Sequence, residues 1–97
     1  MSTISKPIIP ETFEAAKAVA KADAGVTYVT GKISLVSTQQ GLNVIGVAGG
    51  QNPGQYVIKA NVTGGLEAAL TGLTNKANFW GTLDANNQIN TFAIYSN

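Results

Sequence analysis

The sequence predicts a mainly β domain with two helices. Three observations carry this. Residues 10–25, "PETFEAAKAVAKADAG", have helical composition and spacing. At Val26 the period switches to an alternation rich in β-branched residues, which marks strands. A second, shorter helical stretch, "GLEAALTGLTN", then interrupts the strand-like runs after the third of five. With 97 residues the chain is long enough for a single domain, assigned to 10–97 behind a flexible arm at 1–9.

Pro10 suits a first helical position. Glu11 and Glu14 suit the positive end of the helix dipole, and Lys17 and Lys21 lie toward the other end. Gly25 is the expected stop. Phe13, Ala16 and Ala20 share a narrow face with Val19 beside them, so this helix is expected to lie against something larger with Phe13 as its anchor. The first strand, "VTYVTGKISLVST", should place Val29, Gly31, Ile33 and Leu35 on one face. Tyr28, Thr30, Lys32 and Ser34 then take the other, and Gly31 suggests a bend or bulge. After a turn at Gln39–Gly41, "LNVIGVA" is a strand with apolar residues on both sides. "GGQNPG" at 49–54 is a loop. In the third strand, "QYVIKANVT", Tyr56, Ile58, Ala60 and Val62 read as inward, with Val57, Lys59 and Asn61 outward. The second helix should bury Leu66, Ala69, Leu70 and Leu73. "ANFWGTLDANNQINTFAIYS" closes the chain as a hairpin, with Asp84 as a turn former.

Without the first helix the order is β-β-β-α-β-β. Over residues 26–97 this resembles the OB-fold, a five-stranded partly open Greek-key barrel whose helix sits between the third and fourth strands. The resemblance lies in element order and spacing, with "GGLEAALTGLTN" in the helix's place and a long first strand containing an internal glycine. It implies a five-stranded OB-like barrel preceded by the N-terminal helix. The alternative is a small α+β sheet with both helices on one face.

Composition narrows the function. Charged residues are 11% of the chain, against about 25% in an average protein. All six positive charges are Lys, five acids oppose them, and there is no His or Cys. The absence of Arg argues against bidentate phosphate or carboxylate recognition. A net charge of +1 gives weak steering toward nucleic acid. No His is present to activate a Ser or Thr nucleophile. Metal sites need His, Cys or clustered acids, and no metal or cofactor is expected. Glu11 and Glu14 read as a solvated helix face. Gly49 and Gly54 supply the glycine half of a phosphate-binding loop, but Gln55 and Tyr56 stand where its Lys and Ser or Thr belong, so the loop reads as a mobile strand connection. Ser2–Lys6 carries no catalytic pattern, and Asn61-Val62-Thr63 reads as a chance sequon. No apolar run is long enough for a membrane span, the first residues lack a signal-peptide core, and cytoplasmic residence is expected.

The aromatic residues carry the functional expectation. Strand alternation sends Phe79 inward with Leu83 and Trp80 outward. It sends Phe92 and Ile94 inward and Tyr95 outward. Outward rings beside Lys residues are the elements of a single-strand-binding face, where bases stack on rings and ammonium groups hold the backbone. The candidate nucleic-acid-binding residues are Tyr28, Lys32, Lys59, Trp80 and Tyr95. The OB resemblance adds the loops Gln39–Gly41 and Ala85–Gln88. Trp80 has three possible covers: the N-terminal helix, a copy of the chain, or a base. The expected function is a non-enzymatic binding module with single-stranded DNA or RNA as partner. The alternative is a structural or assembly protein, such as a homo-oligomer or a phage-type particle component, joined through an open sheet edge.

Overall fold

The computed structural model describes residues 9–23, 25–59 and 64–96. Expectations for the first eight residues, for Ala60, Asn61 and Val62, and for the side chain of Leu66 lie outside them. The order is α1 (Phe13–Ala22), β1 (Thr27–Gln39), β2 (Leu42–Ala48), β3 (Gly54–Val57), α2 (Gly65–Asn75), β4 (Asn78–Leu83) and β5 (Ile89–Tyr95). The strands form one antiparallel sheet in the order β3-β2-β1-β4-β5. The sheet is open and not closed into a barrel, so the mainly β, five-stranded part of the expected partly open OB-like barrel is found and the barrel itself is not. Among the described residues its two edges meet at a parallel bridge between Ile58 and Ile89. There the Lys59 amide donates to the Ile89 carbonyl at 2.9 Å.

The helix α1 begins later than Pro10 implies because Thr12 caps it. The Thr12 hydroxyl accepts from the Ala15 amide at 3.1 Å, satisfying a first-turn donor that a proline cannot satisfy. The helix also ends before Gly25. Asp23, in extended conformation, is its C-cap, and the Asp23 carboxylate accepts from the Gly25 amide at 3.0 Å.

A bulge between Ile33 and Leu35 divides β1, since Ile33 faces Val47 while Leu35 faces Gly46. The extra residue, Ser34, reverses the alternation. Val36 therefore packs into the inner cluster, and Leu35, expected inward, is 36% exposed on the other face. Gly31 is not the bulge. It allows close approach instead: with φ 142°, a Cβ there would sit 2.3 Å from the Ala48 carbonyl oxygen.

The inner face carries the main core of Val29, Ile33, Ile45, Val47, Ile58, Ala69, Phe79 and Ile89. Phe79 stacks near Phe92 with centroids 6.1 Å apart. The helix α2 covers this core, but not by the face its leucines suggest. Ala69 is buried while Leu70 and Leu73 are 47% and 36% exposed. The reason is Gly72, where a Cβ would sit 2.9 Å from Ile33 Cδ1 and 3.4 Å from Ile94 Cγ2. The helix approaches through its small residues, and this turns the leucines aside. Lys76, in left-handed conformation, ends the helix.

In the β4–β5 turn, Asp84 Oδ1 accepts from the Asn86 and Gln88 amides at 2.8 and 3.0 Å. Asp84 is thus a turn former, as its position suggested.

Candidate functional site

Register sorts the outer face into rows. Tyr28, Thr82 and Thr91 form one row, Thr30, Trp80 and Ala93 a second, and Lys32, Asn78 and Tyr95 a third. Past the bulge the rows are Leu35, Gly46 and Gln55, then Ser37, Val44 and Val57, then Gln39 and Leu42.

The helix α1 roofs the first set. Ala16 and Ala20, both buried, lie in one cluster with Tyr28 and Trp80. Tyr28 and Trp80 are only 5% and 2% exposed, with ring centroids 5.6 Å apart. Phe13 packs on Tyr95 at 5.9 Å. Alanines suit this roof because a helix lying over two large rings has little space for side chains of its own. Polar contacts fix its ends. The Tyr95 hydroxyl donates to the Pro10 carbonyl at 2.6 Å, and the Tyr28 hydroxyl donates to Asp23 Oδ2 at 3.0 Å. The Gln51 side-chain amide donates to the Ala20 carbonyl at 3.1 Å. Burial, then the hydrogen bond and charge of Asp23, push the Tyr28 phenol above its usual pKa. Burial alone does so for Tyr95. The Trp80 indole N–H is buried and has no hydrogen-bond partner among the described residues.

The five candidate residues therefore do not form one accessible face. Tyr28, Trp80 and Tyr95 come together, but beneath the protein's own helix. Lys32 is exposed at the end of their third row, and its ammonium donates to the Lys76 carbonyl and to Asn78 Oδ1, both at 3.0 Å. Lys59 lies apart, 3.3 Å from Asp84 Oδ2. Among the described residues that oxygen accepts no well-aligned hydrogen bond, so the contact with Lys59 is an ion pair by proximity. The Asp84 carboxyl is held below its usual pKa by the Gln88 and Asn86 amides and by Lys59. The loops 39–41 and 85–88 lie at opposite ends of β1, since Gln39 pairs with Leu42 while Leu83 pairs with Thr27.

Two groupings were not visible from the sequence. One is the half of the outer face that, among the described residues, neither helix packs extensively on, with Leu35 and Leu42 36% and 46% exposed around a buried Val44; the bulge at Ser34 creates it. The other is a cleft between α1 and the loop after β2, where Lys17, Lys21 and Lys32 converge on Gly49 and Gly50. The four-residue spacing of Lys17 and Lys21 was the one signal available for it, since residues so spaced share a helix face.

A cavity of about 440 Å³ between α2 and β5 is lined by Glu67, Thr71, Asn75 and Ile94 among others. Among the described residues Glu67 is the one ionisable side chain in its lining. Among the described residues no three His, Cys, Asp or Glu gather as a metal-binding group, and no helix is long and apolar enough to cross a membrane. No protein-family model, curated protein or solved structure matches the chain.

Proposed function

We propose that this chain is a non-enzymatic binding domain that assembles with copies of itself through the uncovered half of its outer face. The observation that carries this reading is the composition of that half. Its three rows contain exposed Leu35 and Leu42, half-buried Val57 and buried Val44, with Ser37, Gln39, Gly46 and Gln55, and no charged residue. An apolar sheet surface gains about 25 cal/mol for each Å² removed from water. An uncharged patch meets its own copy across a two-fold axis without like-charge repulsion. The sparse charge of the whole chain supports the same reading.

The order β3-β2-β1-β4-β5 and the parallel Ile58–Ile89 bridge support an OB-like arrangement, in which the sheet curls until its third and fifth strands meet. Proteins of that type bind ligands on the face of their second and third strands. On the corresponding outer face this chain places exposed Leu42 and Gln55 and half-buried Val57 around a buried Val44, with neither a ring nor a Lys among them. Such a surface suits an apolar protein partner better than stacked bases.

Sedimentation equilibrium at micromolar concentration tests the assembly reading. A self-associating wild type and a monomeric Leu42→Lys variant are expected. A wild type that stays monomeric discards the reading.

The second reading, single-stranded nucleic-acid binding, is favoured by one observation, the convergence of three lysines on the cleft beside α1. Its test is a titration of oligo-dT at two salt concentrations, followed by Trp80 emission and oligomer anisotropy. Because Trp80 is buried, emission reports displacement of α1, and anisotropy reports binding itself. No change in either at low salt discards this reading.

A further inference from the structure

We infer that the cleft between α1 and the loop after β2 is a binding site for phosphate-bearing anions. The inference deepens the nucleic-acid reading and is independent of the assembly face. Two adjoining cavities, of about 220 and 400 Å³, share Lys17, Thr30, Gly49 and Gly50 in their linings. Lys32 lines the first and Lys21 the second, and among the described residues no acidic one lines either. Half of the chain's six lysines thus converge on one glycine-walled cleft.

The loop is held in place, contrary to the mobile connection expected from its sequence. The Thr30 amide donates to the Gln51 carbonyl at 3.1 Å. The Gln51 amide donates back to the Thr30 hydroxyl at 2.9 Å, and the Gln51 side chain ties the loop to the end of α1. The two glycines play different parts. Gly50 is required by packing, because a Cβ there would sit 2.2 Å from the Thr30 carbonyl oxygen. Gly49 has φ 84° and open space where a Cβ would be, so it leaves bare backbone facing the cleft. Bare backbone beside ammonium groups is the chemistry that receives phosphate oxygens.

The lysines have capacity for a ligand. Lys17 lies 3.0 Å from Glu14, whose side chain is 85% exposed, and an ion pair that open to water competes weakly. Lys32 spends two hydrogen bonds on Lys76 and Asn78, and an ammonium has a third donor.

The test uses the ¹⁵N-labelled full chain titrated at low salt with inorganic triphosphate and, separately, with a dT oligomer. Saturable shifts of the Gly49, Gly50 and Gln51 amides are expected. The double variant Lys17→Gln, Lys21→Gln is expected to weaken binding about tenfold or more, as loss of charge-assisted contacts does. Lys59→Gln, which removes the same charge beyond the opposite end of β4, should leave it unchanged. Dependence on Lys17 and Lys21 for both probes assigns the site to nucleic-acid backbone. Dependence for triphosphate alone keeps the site, assigns it to free phosphates, and removes the nucleic-acid reading. The inference is overturned if those amides do not shift saturably with either probe, or if Lys59→Gln weakens binding as much as the double variant.

Discussion

The outer face of this sheet is one surface with two fates. Before the bulge in β1, its rows carry Tyr28, Trp80 and Tyr95, and α1 covers them. Past the bulge its rows carry Leu35, Leu42, Val44 and Val57, and neither α1 nor α2 packs extensively on β2 or β3. The roofed half holds the large rings and the hydrogen bonds that fasten a helix to a sheet. The open half holds small and medium aliphatic side chains without a charge among them. The contrast teaches that an outward-facing aromatic is not thereby an accessible one. In a domain this small a tryptophan is worth covering, and the chain supplies a helix of alanines narrow enough to do it.

If the roofed half is structural and the open half interactive, substitutions in the two should act on different observables. The largest effect belongs to Trp80→Ala, expected to cost about 3–5 kcal/mol in chemical denaturation by the usual scale of large-to-small core changes. A loss below about 1 kcal/mol, within the range of ordinary surface changes, would break the comparison. Next is Ala16→Leu, which forces extra methylenes between α1 and the rings and should cost about 1–3 kcal/mol. A neutral result would mean that α1 stands further from the sheet than its buried alanines indicate.

The pH dependence is smaller and has two signs. The Tyr28 pKa is raised in the folded state. Its contribution is therefore fully present below the unfolded value of about 10 and is lost as pH rises through the folded value. Alkaline titration followed by Trp80 emission should show α1 loosening before the inner core melts. The Asp84 pKa is lowered, so its contribution is present above about pH 4 and lost as pH falls through the folded value. Acid should loosen the β4–β5 turn and its contact with Lys59, as read by amide exchange at Asn86 and Gln88. The smallest stability effect is expected in the open half. Leu42→Lys should change monomer stability by no more than about 0.5 kcal/mol while abolishing self-association, and a large loss of stability would make Leu42 a core residue.

Much of the frame could be read from residues alone. The seven elements occur in the expected order, and Phe79 and Trp80 take opposite faces because adjacent residues in a strand must. Asp84 turns the last hairpin through bonds its own side chain supplies. The failures share a cause. Strict alternation puts Leu35 inward, but a bulge that no single residue announces reverses it. Helical spacing puts Leu70 and Leu73 inward because apolar residues usually face a core, whereas here Gly72 brings α2 close and turns them away. The candidate set of Tyr28, Lys32, Lys59, Trp80 and Tyr95 combined residues that share an outward direction but not an accessible surface.

Periodicity, capping chemistry and turn chemistry act over a few residues, so the sequence by itself determined the elements, their order and which neighbours oppose each other across the sheet. Three things were left to the tertiary structure. One was the cover over Trp80, which depends on where a helix 58 residues earlier in the chain comes to rest. A second was the face by which α2 packs, which depends on how closely Ile33 and Ile94 allow it to approach. The third was the convergence of Lys17, Lys21 and Lys32 on the glycines of one loop. Each is a matter of distance between segments remote in sequence, and packing sets such distances only once the whole chain has folded.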